Sequence, residues 1–248
     1  MRALILAAGY GTRLYPYTKN FSKSLLKVGG RPIINYLVDK VEELDNVSSI
    51  VVITNDRFYK QFRVWKNGLK SRYPIRIVND LTRSPQDRLG AIGDMHFVFN
   101  KLGLAQDYLV LGGDNLFRSS LKGFMRFAKR KSPRVTIGLF DIKDRRQARH
   151  YGVVRLNTRR RIIDFYEKPS RPKTSLVAMC LYYFPREKLD LLKRYLNDPA
   201  NSADAAGSYI SWLCRKDKVF GYIFKDFWFD VGRLYTYKKA NSMFREAR

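Results

Sequence analysis

Four short stretches of this 248-residue chain collect residue types that handle phosphates, metals and hydroxyls. The first is Leu6-Ala7-Ala8-Gly9-Tyr10-Gly11-Thr12-Arg13-Leu14. Glycines just past an apolar run let backbone N–H groups approach a phosphate closely. Arg13 adds a planar, permanently charged fork suited to the same ligand. Lys23, ten residues on, is a second cation able to return to it. The loop is not a Walker A motif, because no Gly-Lys-Ser/Thr follows. It is not a dinucleotide loop either, because Leu14 stands where a third glycine belongs. The second stretch is Gly112-Gly113-Asp114-Asn115, where a carboxylate just beyond an apolar strand suits a hard cation. The third is Trp228-Phe229-Asp230-Val231-Gly232, in which a buried Asp230 would need a cation or strong hydrogen bonds. The fourth is Tyr166-Glu167-Lys168-Pro169, an adjacent acid and base suited to a sugar hydroxyl and a phosphate.

Each stretch also has a plainer structural reading. These are a tight strand-to-helix turn, an Asp-Asn turn, an aspartate capping the last helix, and a surface ion pair worth about 0–1 kcal/mol. No Ser-His-Asp or Cys-His set is visible. Of the two histidines, His96 and His150, the first sits in an apolar helix-like run and reads as core.

The elements that must position these residues can be read from apolar periodicity. Leu4 to Ala8 reads as a buried strand ending at Gly9, and residues 49–54 as a second. Residues 33–44 show apolar positions at helical spacing, and 58–73 read as an amphipathic helix stopped by Pro74. Strands are expected at 75–80, 107–115 and 135–142, and helices at 88–102 and 121–131. This alternation predicts an α/β class: a three-layer Rossmann-like fold with a mixed, mostly parallel central sheet. In such sheets ligands bind beyond the carboxyl ends of the strands, where Gly9 and Asp114 both fall. Strands then follow in succession at 152–157, 162–168 and 176–184. Helices at 186–196 and 209–216, a strand-like run at 219–232 and a closing helix at 234–248 complete the chain. With no linker and no repeat, one domain over 1–248 is expected.

The chain carries 48 Lys+Arg against 22 Asp+Glu, a net charge of +26. That points to an anionic partner: nucleic acid, acidic membrane or a phosphorylated small molecule. With 45% hydrophobic and 14% aromatic residues, disorder is excluded. No apolar run reaches the roughly 18 residues that span a bilayer. The start, MRALILAAGYGTR, is too short and too glycine-punctuated for a secretory signal. Cys180 and Cys214 make neither a disulfide framework nor a cysteine zinc site, so a cytoplasmic location is expected. A nucleic-acid-binding protein is the reading from another class. No RNP, KH or zinc-finger pattern supports it, and runs such as Arg159-Arg160-Arg161 read as solvated surface.

The four stretches occur in a fixed order, and together they resemble a family. LAAGYGTRLYPYTKNFSKSLLKVGGRPIINY resembles the signature of sugar-1-phosphate nucleotidyltransferases. That signature is an LAAGxGTRL loop, a Pro and Thr, a Lys before a Leu-Leu-x-Val run, and a Pro-Ile-x-x-Tyr helix start. GGDN, the segment Tyr151 to Val154, FYEKP and WFDVG are similar to the family's later motifs. The resemblance implies nucleotidyl transfer from a nucleoside triphosphate to a sugar 1-phosphate with release of pyrophosphate. It implies that Leu6, Ala8, Gly9, Gly11, Thr12 and Gly90 bind the nucleotide. Arg13, Lys23 and Asp114 would be catalytic, with Arg13 on the leaving phosphates and Lys23 on the α-phosphate. Asp114 and Asp230 would ligate Mg²⁺. Gly152, Glu167 and Lys168 would bind the sugar phosphate. Residues 1–145 would form the nucleotide half, and 146–248 the sugar-phosphate half and closing helix.

Two departures matter. The family often carries a Gln-x-x-Pro-x-Gly-Leu-Ala-Gln-Ala stretch that reads base and sugar. Here Gly90-Ala91-Ile92 stands at the Gly-Leu-Ala place and no glutamine follows. A thymidylyl- or uridylyltransferase is expected, with a cytidylyltransferase acting on a phosphorylated alcohol such as phosphocholine as the alternative. No residues remain after the last helix for the long β-helix of glycogen- and starch-pathway members, so a single-domain biosynthetic transferase is expected. A sensor without catalysis is disfavoured by the intact Arg13, Lys23, Asp114, Lys168 and Asp230. Tyr209, Ile210, Trp212 and Leu213 are expected to be either core or the interface of a homo-oligomer.

Overall fold

The computed structural model describes residues 1–246, so the end of the closing helix expected at 234–248 lies outside the described residues. The chain divides into two compact units: residues 1–89, 111–121 and 226 onward in the first, 90–110 and 122–225 in the second. Among the described residues no helix is long and apolar enough to cross a membrane.

The first unit is built on parallel strands. Arg2–Leu6 pairs with Ser49–Thr54, which pairs with Ile75–Asn79, in registers such as Leu4 to Val51 and Ile53 to Val78. Leu4, Ile5, Val52 and Ile53 are wholly buried, as continuous apolar runs in parallel strands should be. Helix Ile33–Glu42 buries Ile33, Ile34, Leu37, Val38 and Val41 along one stripe. Helix Asp56–Asn67 buries Phe58 and Phe62 one turn apart, each worth about 1.5–3 kcal/mol of apolar burial. It ends at Gly68, short of the expected residue 73, although Leu69 and Tyr73 keep the apolar spacing, because Gly68 closes the last turn with its N donating to Val64 O and Trp65 O. A second cluster of Leu14, Leu26, Val28, Ile33, Leu116, Val231 and Ala240 fixes the closing helix Leu234–Glu246.

The second unit holds a mixed sheet. Ile162–Glu167 and Gly152–Leu156 pair antiparallel, as do Leu176–Phe184 and Thr136–Asp141. Phe220–Phe224 runs parallel to Thr136–Asp141. Tyr183, Phe184, Tyr195 and Tyr209 are fully buried within this unit. Tyr209, Ile210 and Leu213 lie in its core, and Trp212 stacks on Tyr209 with ring centroids 6.0 Å apart. The α/β class and the mixed sheet expected from the sequence are what the chain adopts.

Three expected elements break. The strand expected at 107–115 is two strands, Tyr108–Gly112 and Asn115–Phe117, because Gly113 and Asp114 turn between them. The strand-like run 219–232 is likewise two, Phe220–Phe224 and Trp228–Asp230. Asp226 between them takes a left-handed φ of 67° and accepts a hydrogen bond from Ser119 Oγ at 2.9 Å. Apolar content alone hides such a break. The helix expected at 186–196 opens as a 3₁₀ turn, Arg186–Lys188, before Asp190–Leu196.

One buried side chain ties loop to helix. Asn55 caps Asp56–Asn67 by accepting from Phe58 N at 3.0 Å, and its Nδ2 donates to Ala8 O at 2.7 Å. Asn55→Ala removes both bonds and strands a buried carbonyl. It is expected to cost about 2–3 kcal/mol, against about 1 for a cap alone. Urea unfolding measures it, and a loss of about 1 kcal/mol would show that the Ala8 bond contributes nothing.

Candidate active site

The chemistry-bearing residues of the first unit gather beyond the carboxyl end of strand Arg2–Leu6. Leu6 is the last residue of that strand, and its carbonyl accepts from Gly113 N at 2.9 Å. Ala8 follows, buried, with its carbonyl held by Asn55. Gly9 is exposed, and a Cβ there would meet nothing within 4 Å, so its backbone is open to a ligand. Gly11 takes φ 64° in front of the 3₁₀ turn Thr12–Leu14, and Thr18 Oγ1 donates to its carbonyl at 2.7 Å. Thr12 and Arg13 point outward from this turn, while Leu14 anchors it in the core.

A short antiparallel ribbon brings two acids to the same place. Asn115–Phe117 pairs with Trp228–Asp230, Asp230 opposite Asn115. Trp228 Nε1 donates to Asn115 Oδ1, and Val231 N donates to Asp114 O at 2.9 Å. Lys23, opening the 3₁₀ turn Lys23–Leu25, donates from Nζ to Asp114 Oδ2 in an ion pair whose side chains are 16% and 23% exposed. Arg13 closes the group: a Cβ built on Gly232 would lie 2.9 Å from Asp230 Oδ1 and 3.3 Å from Arg13 Nη2. Arg13, Lys23, Asp114 and Asp230 are thus neighbours, and Asp230 does not cap the closing helix. That helix starts at Leu234, and Arg233 N donates to Thr236 Oγ1.

The charges in this group work against one another. Burial, and then the charge of Asp114, pushes Asp230 up to about 7. Burial also disfavours the Asp114 carboxylate, but Lys23 outweighs it and holds Asp114 below its ordinary value. Lys23 is held above its own ordinary value: burial opposes its charge, and Asp114 and Asp230 overcome it. Asp230 Oδ1 is buried without a hydrogen-bond partner. An orphaned carboxylate oxygen beside a second carboxylate fits a hard divalent cation. Among the described residues no third His, Cys, Asp or Glu joins them into a larger cluster. Two protein carboxylates with water or substrate phosphate completing the shell is a usual arrangement for magnesium.

The second unit carries the other expected residues. Gly152 opens one strand and Glu167 ends its neighbour, in register with it. Lys168 follows at φ 45°; its N donates to Tyr151 O at 3.0 Å, and its Nζ lies 3.5 Å from Glu167 Oε1. Glu167 is 22% exposed, and burial pushes it above its ordinary value despite Lys168. Its carboxyl lies against the first turn of helix Ala206–Lys216, where a Cβ on Gly207 would fall 1.8 Å from Oε2. Only glycine at 207 leaves room for it. Gly90, also in this unit, opens helix Gly90–Leu102 at φ 76°, and a Cβ there would fall 2.5 Å from Asp204 Cα. The next two amides donate to Asp204 O and Ala203 O, so close backbone packing within this unit already requires glycine at 90.

Sequence reasoning did not single out Asn55, Thr18, Gly232 or Gly207 as site residues. Thr18 and Gly232 lie inside quoted motifs. Asn55, after a buried strand and three residues before Phe58, had an N-cap signal. Gly207 had only a glycine in a helical first turn, which says nothing about Glu167.

Residues 2–247 match the family described as Nucleotidyl transferase. The chain is 28% identical over 242 residues to the bifunctional protein GlmU of Methanocaldococcus jannaschii, covering 97% of this chain and 53% of that protein. It is 27% identical over 259 residues to a glucose-1-phosphate adenylyltransferase of Fusobacterium nucleatum, covering 96% and 65%. It therefore spans about half to two thirds of the length of the curated relatives it matches. A solved UDP-glucose pyrophosphorylase bound to UDP-glucose superposes with a TM-score of 0.83 at 20% identity, covering 100% of this chain and 99% of that one, a likeness of fold. A match over nearly the whole chain settles the family that the ordered motifs suggested: this protein belongs to the nucleotidyl transferase family.

Proposed function

We propose that this protein transfers a nucleotidyl group from a nucleoside triphosphate to a sugar 1-phosphate and releases pyrophosphate. The observation that carries the reading is the group formed by Arg13, Lys23, Asp114 and Asp230 at the mouth of the glycine loop. The sugar phosphate oxygen is already an anionic nucleophile, so no general base is needed. The task is to hold two anions in line and to stabilise charge on the α-phosphate, which is positioning plus electrostatics.

Within that reading Gly9, Gly11 and Thr12 present backbone to the triphosphate, and Arg13 holds the β- and γ-phosphates that leave. Lys23 has three N–H donors, so it can serve Asp114 and an α-phosphate oxygen together. Asp114 and Asp230 would hold a Mg²⁺ ion, which supplies charge neutralisation at the triphosphate when bound. Glu167 accepts from sugar hydroxyls and Lys168 donates to the sugar's phosphate. We assign this work to the cytoplasm, where both substrates are found. Thymidylyl and uridylyl transfer are what the resemblance implies, and the adenylyltransferase relative adds a third base to be tried.

The direct test is a pyrophosphate-release screen of all common nucleoside triphosphates against sugar 1-phosphates and phosphocholine, with Mg²⁺. One sugar-phosphate pair is expected to dominate, and Lys23→Ala to lower its kcat about 100- to 1,000-fold. No turnover with any pair would sink the reading.

Metal binding requires Asp230 to lose its proton, and its value stands at about 7. The rise in Tm that Mg²⁺ produces is therefore expected to be larger at pH 8 than at pH 6, and to vanish in Asp230→Asn. An equal rise at both pH values, or in the variant, would place the metal elsewhere.

Glu167 gives a prediction of opposite sign for stability. Its value is raised on folding, so its charged form weakens the fold. The cost is absent well below the ordinary value of 4.5 and grows as pH rises through the folded value. Glu167→Gln should melt above the parent at pH 7.5 and level with it at pH 3.5, while KM for the sugar phosphate rises. A lower Tm at pH 7.5 would contradict the burial argument.

A further inference from the structure

The second unit has a cleft of about 770 Å³ lined by nine residues, Asp144 to Gln147, Arg149, and Ser170 to Lys173. Five of the nine are cations: Arg145, Arg146, Arg149, Arg171 and Lys173. Across the chain Lys and Arg number 48 of 248, about one residue in five, so the density here exceeds the chain average. Asp144 is the only acid among the lining residues, and its carboxylate is spent on the backbone. It accepts from Arg146 N at 2.8 Å and Gln147 N at 3.4 Å, capping the turn Arg145–Ala148. Its approach to Arg146 Nε is a loose 3.9 Å. Arg149 and Arg171 have no acidic partner among the described residues. Lys173 is neutralised by no acid either; its Nζ sits 6.0 Å over the Tyr166 ring. The two walls are stapled together, because Arg145 Nη2 donates to Lys173 O at 2.5 Å. All five cations are exposed around this one open cleft.

Like charges around one cleft repel, and together they make a positive field there. An anion of matching charge relieves both. The volume is that of a small-molecule site. Arginine forks pair phosphate oxygens bidentately, and an excess of four positive charges suits a chain of phosphates better than one. We propose that this cleft binds a small polyphosphate anion: the phosphate tail of a free nucleotide or an inorganic oligophosphate. A nucleic-acid strand is the other polyanion; it tracks a basic groove several nucleotides long, whereas these cations gather around a single cleft, and the strand is one outcome of the test below. None of the nine lining residues is among those assigned to catalysis, so the cleft's occupancy does not depend on the catalytic reading.

The test is calorimetric binding of inorganic tripolyphosphate to the full chain in metal-free buffer, with ATP, inorganic phosphate and a twelve-residue single-stranded oligonucleotide as further arms. One site is expected from the cleft, and the proposed function adds a second at Arg13 and its glycine loop. Arg13→Ala should leave one. Adding Arg149→Glu and Arg171→Glu should weaken that remaining site about tenfold or more, while Arg149→Lys and Arg171→Lys hold it within about threefold. Tm is checked alongside, and Arg149→Gln with Arg171→Gln replaces the reversed pair if that pair melts early. ATP and tripolyphosphate binding alike, with phosphate far weaker, supports a shared polyphosphate chemistry; ATP alone binding marks a nucleotide. Unchanged binding in the cleft variants, or loss of all binding in Arg13→Ala, overturns the proposal. So does an oligonucleotide that displaces tripolyphosphate at lower concentration than ATP does.

Discussion

The constraint on which the first unit depends is that two carboxylates are forced together where little water reaches them. The ribbon of Asn115–Phe117 against Trp228–Asp230 fixes their separation through backbone hydrogen bonds, not through anything the acids choose. Buried like charges cannot both remain ionised without compensation. Lys23 supplies it for Asp114, and Asp230 answers by holding on to its proton. A site that keeps one acid reluctantly neutral is poised for a cation. Arg13 beside Gly232 adds a guanidinium at that point, and the backbone at Gly9 is exposed. The loop keeps its shape because Thr18, Asn55 and Gly113 each satisfy a carbonyl near it.

Glu167 shows the same trade in the second unit. Its carboxyl is pressed onto the first turn of helix Ala206–Lys216 at Gly207. The helix N-terminus favours a negative charge there, but burial costs more, and Glu167 rises. A fold selected only for stability would place an apolar group at such a position. The acid costs stability, as groups kept for binding commonly do.

Much of this was legible in the residues, for identifiable reasons. The helix Leu121–Lys131 and the strand Leu176–Phe184 match the expected limits, because a strong period or a long apolar run leaves little freedom. Gly9 and Asp114 fall at strand ends as an α/β pattern requires. What the pattern hid were breaks made by single residues. Asp226 turns a long apolar run into two strands, and Gly113 with Asp114 does the same earlier in the chain. Contacts between distant residues were hidden too: nothing near Gly207 in sequence announces Glu167. Gly90 carried an expected role in binding, yet its left-handed backbone and its packing on Asp204 already account for a glycine there.

The net charge of +26 is partly placed by the structure. Some cations stand at the glycine loop, five line one cleft of the second unit, and many lie on exposed helix faces such as Lys129 to Lys131. The proposed function rests on Asp114 and Asp230 as a metal pair, with Lys23 neutralising Asp114 in the metal-free protein. Anomalous diffraction from crystals grown with Mn²⁺ and a non-hydrolysable nucleoside triphosphate tests it most directly. The account predicts one strong peak within bonding distance of carboxylate oxygens of both Asp114 and Asp230. A peak bound to neither acid, with Asp230 still unpartnered, would contradict it.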